Sequence, residues 1–295
     1  MDENSRQPGE PIAWIADPEL DIGNETTLSS GHWGHPDQLA LPLSDRGLQL
    51  ADGLFETVLV EAGQPRLLQE HLGRWQGSAA LLGMAPPPSA EHLQPRIAEA
   101  VQRSGIRQGA LRLNWSRGSG CRGLELPAAG EPQPVHRFWL QLVAYKPAFG
   151  AITTIISRHE RRNADSQLSR CKSFAYGTQI QARREARAAG AEEALLLSSS
   201  GELCCGSAAN LLVLRAGQWW TPPASSGCLP GVMRAQALDR GLAAETHISS
   251  ADLLSSDGAL LINSLSCRPL SSCDALELPP IAAAQGQALW RNLLD

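Results

Sequence analysis

"EALLLSSSGELCCGSAANLLVLRAGQWWTPP", residues 193 to 223, reads as strand, turn, strand, turn, strand. Short apolar runs are interrupted by clusters of serine and glycine, the punctuation of strands joined by turns. Downstream, "LPGVMRAQALDRGLAAE" (229 to 245) opens on Pro-Gly and continues as a helix. "GALLINSLSCRPL" (258 to 270) has the continuous apolar character of one buried strand, and a short helix near "AAAQGQALWRNLL" closes the chain. Upstream, "AITTIISRHERR" (151 to 162) is a strand. The alanine- and arginine-rich stretch from Phe174 to Ala189 is predicted as a helix, with Gly190 as its C-cap. Strands and helices therefore mix without a regular βαβ alternation, which predicts a mixed α/β (α+β) fold over a doubly wound sheet.

The first half follows the same logic. "FETVLVEAGQPRLL" gives a strand and a turn leading into a helix, whose apolar residues recur at helical spacing over residues 67 to 83. "AEHLQPRIAEAVQRSG" is a second helix, with Pro95 in its first turns. "ALRLNWSRG" (110 to 118) and "PVHRFWLQLVAYKP" (134 to 147) are strands. "KPAFG" (146 to 150) marks a boundary between an N-terminal α/β domain, 13–146, and a C-terminal domain, 147–295. The polar N-terminus, 1–12, reads as a disordered lead-in without the apolar core of a secretory signal.

Bulk properties narrow the function. The 295 residues are 43% apolar and 19% charged, as in a folded soluble protein. A net charge of −5 without a basic block argues against nucleic acid as a partner. No apolar run reaches the length of a membrane span. The seven cysteines are odd in number and form no C-x-x-C pair, and Cys204 and Cys205 are adjacent, so a reducing cytoplasmic setting is expected. The histidines do not cluster at zinc-ligand spacing, so no metal is expected.

Few stretches carry chemistry. "GSGCRG" (118 to 123) fits G-x-G-x-x-G, but the prolines and glycine of "LELPAAGEPQP" follow it, and no helix can form there to hold a pyrophosphate. Arg117 and Arg122 remain candidates for an anion-binding rim. In "LPGVMR" (229 to 234), Gly231 frees backbone N–H groups at a helix start, a place for phosphate or an ordinary turn into a helix. Asn263 and Ser264 in "INSL" can donate to a phosphate or cap a turn. Of the 25 basic residues only Lys146 and Lys172 are lysines. A primary amine can form an imine with an aldehyde, which a guanidinium cannot usefully do.

"DRGLQLADGLFET" (45 to 57), "EHLGRW" (70 to 75), "SRGSGCRG" (116 to 123), "KSFAY" (172 to 176), "GSAANLLVL", "GCLPGVMR" and "INSLSCRPL" stand in the order seen in the class IV aminotransferases, the fold-type IV enzymes of pyridoxal 5′-phosphate (PLP). The resemblance runs from about Ala40 to about Leu270, and "SRGSGCRG" and "INSL" look most like its 4-amino-4-deoxychorismate lyase branch. It implies a two-domain D-amino-acid-aminotransferase-like fold with PLP between the domains, in a homodimer. It implies Lys172 as the Schiff-base lysine and Arg74 as a phosphate ligand. Gly231, Val232 and Met233 fall at the helix-start phosphate site, and Asn263 and Ser264 at a second phosphate loop. Tyr176 falls beside the cofactor and Arg117 in the strand-end loop on the substrate side; Arg117 and Arg122 are the candidates to receive the substrate's carboxylates.

There is one departure. The family normally has a glutamate five residues before the asparagine that matches Asn210, where it keeps the pyridine nitrogen protonated; here that residue is Cys205. A neutral thiol does this far less well, and transamination leans more heavily on the ring's electron-accepting power than a lyase reaction driven by product aromaticity. The expectation is a cytoplasmic lyase acting on a small molecule, releasing pyruvate and forming 4-aminobenzoate for folate biosynthesis. The alternatives are a branched-chain or D-amino-acid transaminase, or a non-catalytic PLP-binding homologue.

Overall fold

The computed structural model describes residues 9–17, 28, 30–120, 123–128 and 133–295. The chain forms two compact units, one of Met1–Lys146 with Lys172–Ala175, the other of Pro147–Cys171 with Tyr176–Asp295.

The first unit holds β1 (Ile12–Ala16), β2 (Gly31–Gly34), α1 (Arg46–Leu50), β3 (Gly53–Glu61), β4 (Gln64–Pro65), α2 (Leu68–Leu81), α3 (Ala90–Ser104), β5 (Gly109–Ser119) and β6 (Val135–Ala144). Its six strands form one antiparallel sheet in the order β2-β1-β6-β5-β3-β4. Helix α2 buries Leu68, Leu72, Trp75 and Ala79, and α3 buries Leu93, Ile97 and Ala100, the i, i+4, i+7 spacing of one helical face. Trp75 and Trp14 pack on Phe138 of β6 with ring centroids 6.3 and 6.0 Å apart. Alternation along β5 sends Leu111, Leu113 and Trp115 into this core and turns Arg112, Asn114 and Ser116 to the opposite face.

The second unit holds β7 (Ile152–Arg162), α4 (Gly177–Ala188), β8 (Glu193–Ser198), β9 (Leu203–Gly206), β10 (Asn210–Arg215), β11 (Gln218–Thr221), α5 (Val232–Asp239), β12 (Ala243–Glu245), α6 (Ser250–Leu254), β13 (Gly258–Asn263), β14 (Ser266–Cys273), β15 (Leu276–Glu277) and α7 (Ala283–Leu294). The sheet runs β12-β11-β10-β13-β14-β7-β8-β9, and a further pairing of β9 with β10 closes a ring of six strands. That closure is made at one residue pair, Cys205 opposite Asn210. Leucines from β8, β9, β10, β13 and β14 fill one core, while Ala182 and Ala186 of α4 pack on Ala194, Leu196, Cys204, Cys205 and Cys228.

Five expectations need correction. Within the expected lead-in, 1–12, Gly9 donates its amide to Ser104 O at 2.8 Å and β1 starts at Ile12; residues 1–8 lie outside the described residues. The helix expected from Phe174 begins at Gly177, because the chain before it pairs with β3: Phe55 N donates to Lys172 O and Phe174 N to Gly53 O, both at 2.9 Å. This places Lys172–Ala175 with the first unit and not within 147–295. "GALLINSLSCRPL" is a hairpin, β13 and β14, because Asn263 folds a turn inside the apolar run. The opening stretch contains four strands, since "QWWT" pairs back on β10 as β11.

Candidate functional site

Lys172 is an edge residue of the first unit's sheet, opposite Phe55 in the added strand pairing. It is partly buried, and its Nζ lies 4.4 Å from the centroid of the Phe55 ring. Arg112 reaches the same ring from β5, with Cζ 3.5 Å from the centroid, and donates from Nε to Asn114 Oδ1 at 2.7 Å. The two cationic centres therefore lie within about 8 Å of each other, the sum of their distances to that ring. An amine flanked by a guanidinium can handle a substrate that carries a carboxylate near its reacting carbon.

On the other face of β3, Glu56 is fully buried. It accepts from Arg74 Nε at 2.9 Å, from Arg74 Nη2 at 2.5 Å and from His71 Nδ1 at 2.7 Å. His71 and Arg74 meet it from one side of α2, one helical turn apart. Burial would raise the Glu56 pKa, but the Arg74 charge and the bonds from His71 and Arg74 outweigh it and hold the carboxyl at about 2. Burial lowers the His71 pKa against the opposing pull of Glu56, and the charges of Arg74 and Lys172 lower it further. The imidazole is thus neutral at neutral pH and gives its Nδ1 proton to a carboxylate that can only accept. Arg74 remains a candidate phosphate ligand whose Nε and Nη2 are steadied by Glu56.

Arg117 does not sit with this group. It lies on the core face of β5, where Nε pairs with Asp52 Oδ2 and Nη1 and Nη2 donate to Gly83 O and Leu82 O, all at 2.9 Å. A buried guanidinium with every nitrogen committed is a structural tie, so the expectation that Arg117 receives a substrate carboxylate is corrected. Arg122 lies outside the described residues. Arg112 was missed by sequence reasoning, although the Arg-x-Asn alternation of "LRLN" marks a polar face on β5.

In the second unit α5 begins at Val232 with Gly231 as its N-cap and no side-chain cap. The amides of Val232 and Met233 have no protein acceptor among the described residues, and the helix dipole adds partial positive charge there. Cys205, at the end of β9, is buried and faces Leu196 on one side and Asn210 on the other. Neighbouring carboxylates are committed elsewhere: Glu202 accepts from His247 at 2.5 Å, and Glu193 pairs with Arg183 and accepts from Ala194 N at 2.8 Å. Cys204, Cys205 and Cys228 share one apolar cluster. Hydrogen bonds to Cys205 and Cys228, with burial, raise the Cys204 pKa.

Asn263 spends its carboxamide on local structure. Oδ1 accepts from Leu265 N at 2.8 Å and Ser266 Oγ at 3.0 Å, and Nδ2 donates to Ala208 O at 3.1 Å. The capping alternative therefore holds for its side chain, while Ser264 occupies the turn it caps. Tyr176 is the N-cap residue of α4, with no side-chain capping bond. Gly231, Cys205 and Asn263 thus converge on the segment 206–210. A primary amine is what an aldehyde requires and an uncapped helix start is what a phosphate requires, so Lys172 and the start of α5 are each chemically suited to a part of PLP. Among the described residues no group of three or more His, Cys, Asp and Glu could hold a metal, and no helix is long and apolar enough to cross a membrane.

Residues 53–273 match the family model described as amino-transferase class IV. A D-alanine aminotransferase of Bacillus licheniformis is 31% identical over 106 residues, 36% of this chain and 38% of the relative. A bifunctional aminodeoxychorismate lyase / D-amino acid transaminase of Mycobacterium tuberculosis is 37% identical over 86 residues, 28% of this chain and 29% of the relative. The chain thus matches well under two thirds of the length of these curated relatives. The solved structure of the fold IV-transaminase CpuTA1 from Curtobacterium pusillum superposes with a TM-score of 0.79 at 26% identity, covering 97% of this chain and 99% of that one.

Proposed function

The chain belongs to the class IV aminotransferase family, whose enzymes use PLP, and from that premise we propose that it is a lyase converting 4-amino-4-deoxychorismate to 4-aminobenzoate and pyruvate. When bound, PLP supplies an aldehyde carbon and a ring that accepts electrons. The Lys172 amine would take the proton from the substrate carbon that bears nitrogen and return one to the departing enolpyruvyl group. Arg112, over the same Phe55 ring, would receive a substrate carboxylate and hold that carbon within reach of Nζ. Arg74, fixed by Glu56, and the amides of Val232 and Met233 would bind phosphate.

One observation carries the choice of lyase over transaminase. Residue 205 is a buried thiol, and the acidic residues near it in sequence, Glu193 and Glu202, are held by Arg183 and His247. Residue 205 itself thus offers no carboxylate to keep a ring nitrogen protonated, and aromatisation of the product would supply the driving force instead. The similarity to a D-alanine aminotransferase favours a second reading, transamination of D-amino acids. Incubating the purified protein with PLP and each substrate separates the two. Formation of 4-aminobenzoate and pyruvate in equal amounts is expected. Keto acid from D-alanine with no 4-aminobenzoate would sink the lyase reading.

A further inference from the structure

Asn210 has its side chain locked into the approach to α5. Its backbone is paired on both sides, with Ile262 of β13 and Cys205 of β9, and the residue is 6% exposed, so the side chain has little room to turn. Nδ2 donates to Leu229 O at 2.9 Å. The same carbonyl accepts from Gly231 N at 2.8 Å, so two donors close the turn that enters the helix. Oδ1 stands where a side chain on residue 231 would begin, since a Cβ built there would fall 2.0 Å from it. Gly231 in turn gives its carbonyl to Ala235 N at 2.8 Å, the first bond of the helix. The carboxamide thus grips the last carbonyl before the helix and wedges against the N-cap, leaving the amides of Val232 and Met233 pointed out of the helix start.

We propose that Asn210 is a positioning residue that sets the register of the α5 amides for the phosphate of the cofactor; this rests on the reading that those amides bind it. Loss of the carboxamide frees the turn at 229–231 and misaligns both donors, which weakens recognition of phosphate and leaves capture of an aldehyde by Lys172 unchanged. An aspartate keeps the shape, but it cannot donate to Leu229 O and it brings a negative charge to an anion site.

PLP and pyridoxal share the aldehyde and ring and differ only in the phosphate, so the ratio of their affinities isolates the effect. Both would be titrated into wild type, Asn210→Ala, Asn210→Asp and Gly231→Ala, with the melting temperature of each ligand-free protein as the fold check. The preference for PLP over pyridoxal is expected to fall about tenfold in Asn210→Ala, the worth of one well-made hydrogen bond to a charged group, and further in Asn210→Asp. Pyridoxal affinity should hold within about twofold. Gly231→Ala, whose Cβ displaces Oδ1, should lose the same preference and carries the test if the asparagine variants do not fold. Equal losses for both ligands would mean a merely structural asparagine and overturn the inference. A preference that survives in Asn210→Ala and Gly231→Ala would overturn it alone. A wild type that takes PLP no more tightly than pyridoxal would overturn the phosphate reading and this inference together.

Discussion

The buried polar centres of the two units solve the same problem differently. In the first, Glu56 keeps its charge out of water because Arg74 and His71 come with it. In the second, the centre around Cys205 is a set of thiols, Cys204, Cys205 and Cys228, which pack as small apolar groups and need no counter-charge. A charge kept in a core brings its partners into the architecture, so its loss is felt by the fold. A thiol can stand in a core with little structural consequence, so exchanging it alters chemistry more than stability.

The largest test of this contrast leaves both centres intact. Lys172→Ala should lower activity by about a thousandfold or more. Borohydride should then no longer fix a phosphopyridoxyl group to the peptide containing residue 172, and Lys172→Arg should not restore it. Breaking the charged centre comes next. Glu56→Ala leaves Arg74 buried without its carboxylate and should cost about 3–5 kcal/mol in chemical denaturation. The same centre should make the protein acid-sensitive. The Glu56 pKa is depressed from 4.5 to about 2, so its stabilisation is complete above about pH 4.5 and is lost as pH falls toward 2, worth about 3 kcal/mol in all. His71, depressed by burial, adds in the same direction below its ordinary pKa of 6.5. Glu56→Gln should flatten the acid limb of a stability-against-pH curve, and an unchanged limb would break the comparison from the charged side.

Arg112→Ala should reduce kcat/KM for the carboxylated substrate about 10- to 100-fold, with little change in melting temperature. An unchanged kcat/KM would remove Arg112 from the substrate. The smallest effect probes the thiol side. Cys205→Glu should raise keto-acid formation relative to 4-aminobenzoate a few-fold, as a carboxylate restores protonation of the ring nitrogen. Loss of both activities would show that the thiol does more than fill space.

Much of this was legible from local pattern. The helical spacing of Leu68, Leu72 and Trp75 gave α2, and the alternation in "ALRLNWSRG" gave β5. Lys172 stood out because arginine is used almost everywhere else. What could not be read depended on partners distant in sequence. Phe174 has helix-forming neighbours, yet the edge of β3 takes it, a pairing across more than a hundred residues that no local propensity encodes. Arg117 and Arg112 are both arginines on one strand, and only the register against β3 and β6 decides which enters the core. Asn210 stands in the sequence as the asparagine of a family motif, but its contact with the loop at 229–231 depends on that loop lying against it. The turn at Asn263 stands in the sequence only as one of two alternatives, because apolar residues continue on both sides and suggest an unbroken strand.

The pairing of Lys172–Phe174 with Gly53–Phe55 also bears on how the chain is made. As the polypeptide leaves the ribosome, the first unit's sheet can assemble β1 to β6 while that stretch of β3 still lacks its neighbour. An open strand edge is where foreign strands add, so the newborn sheet is exposed to mispairing until β7 and the turn after it have been synthesised. A shortened version ending at Lys146 would keep that vulnerability permanently and should aggregate through it.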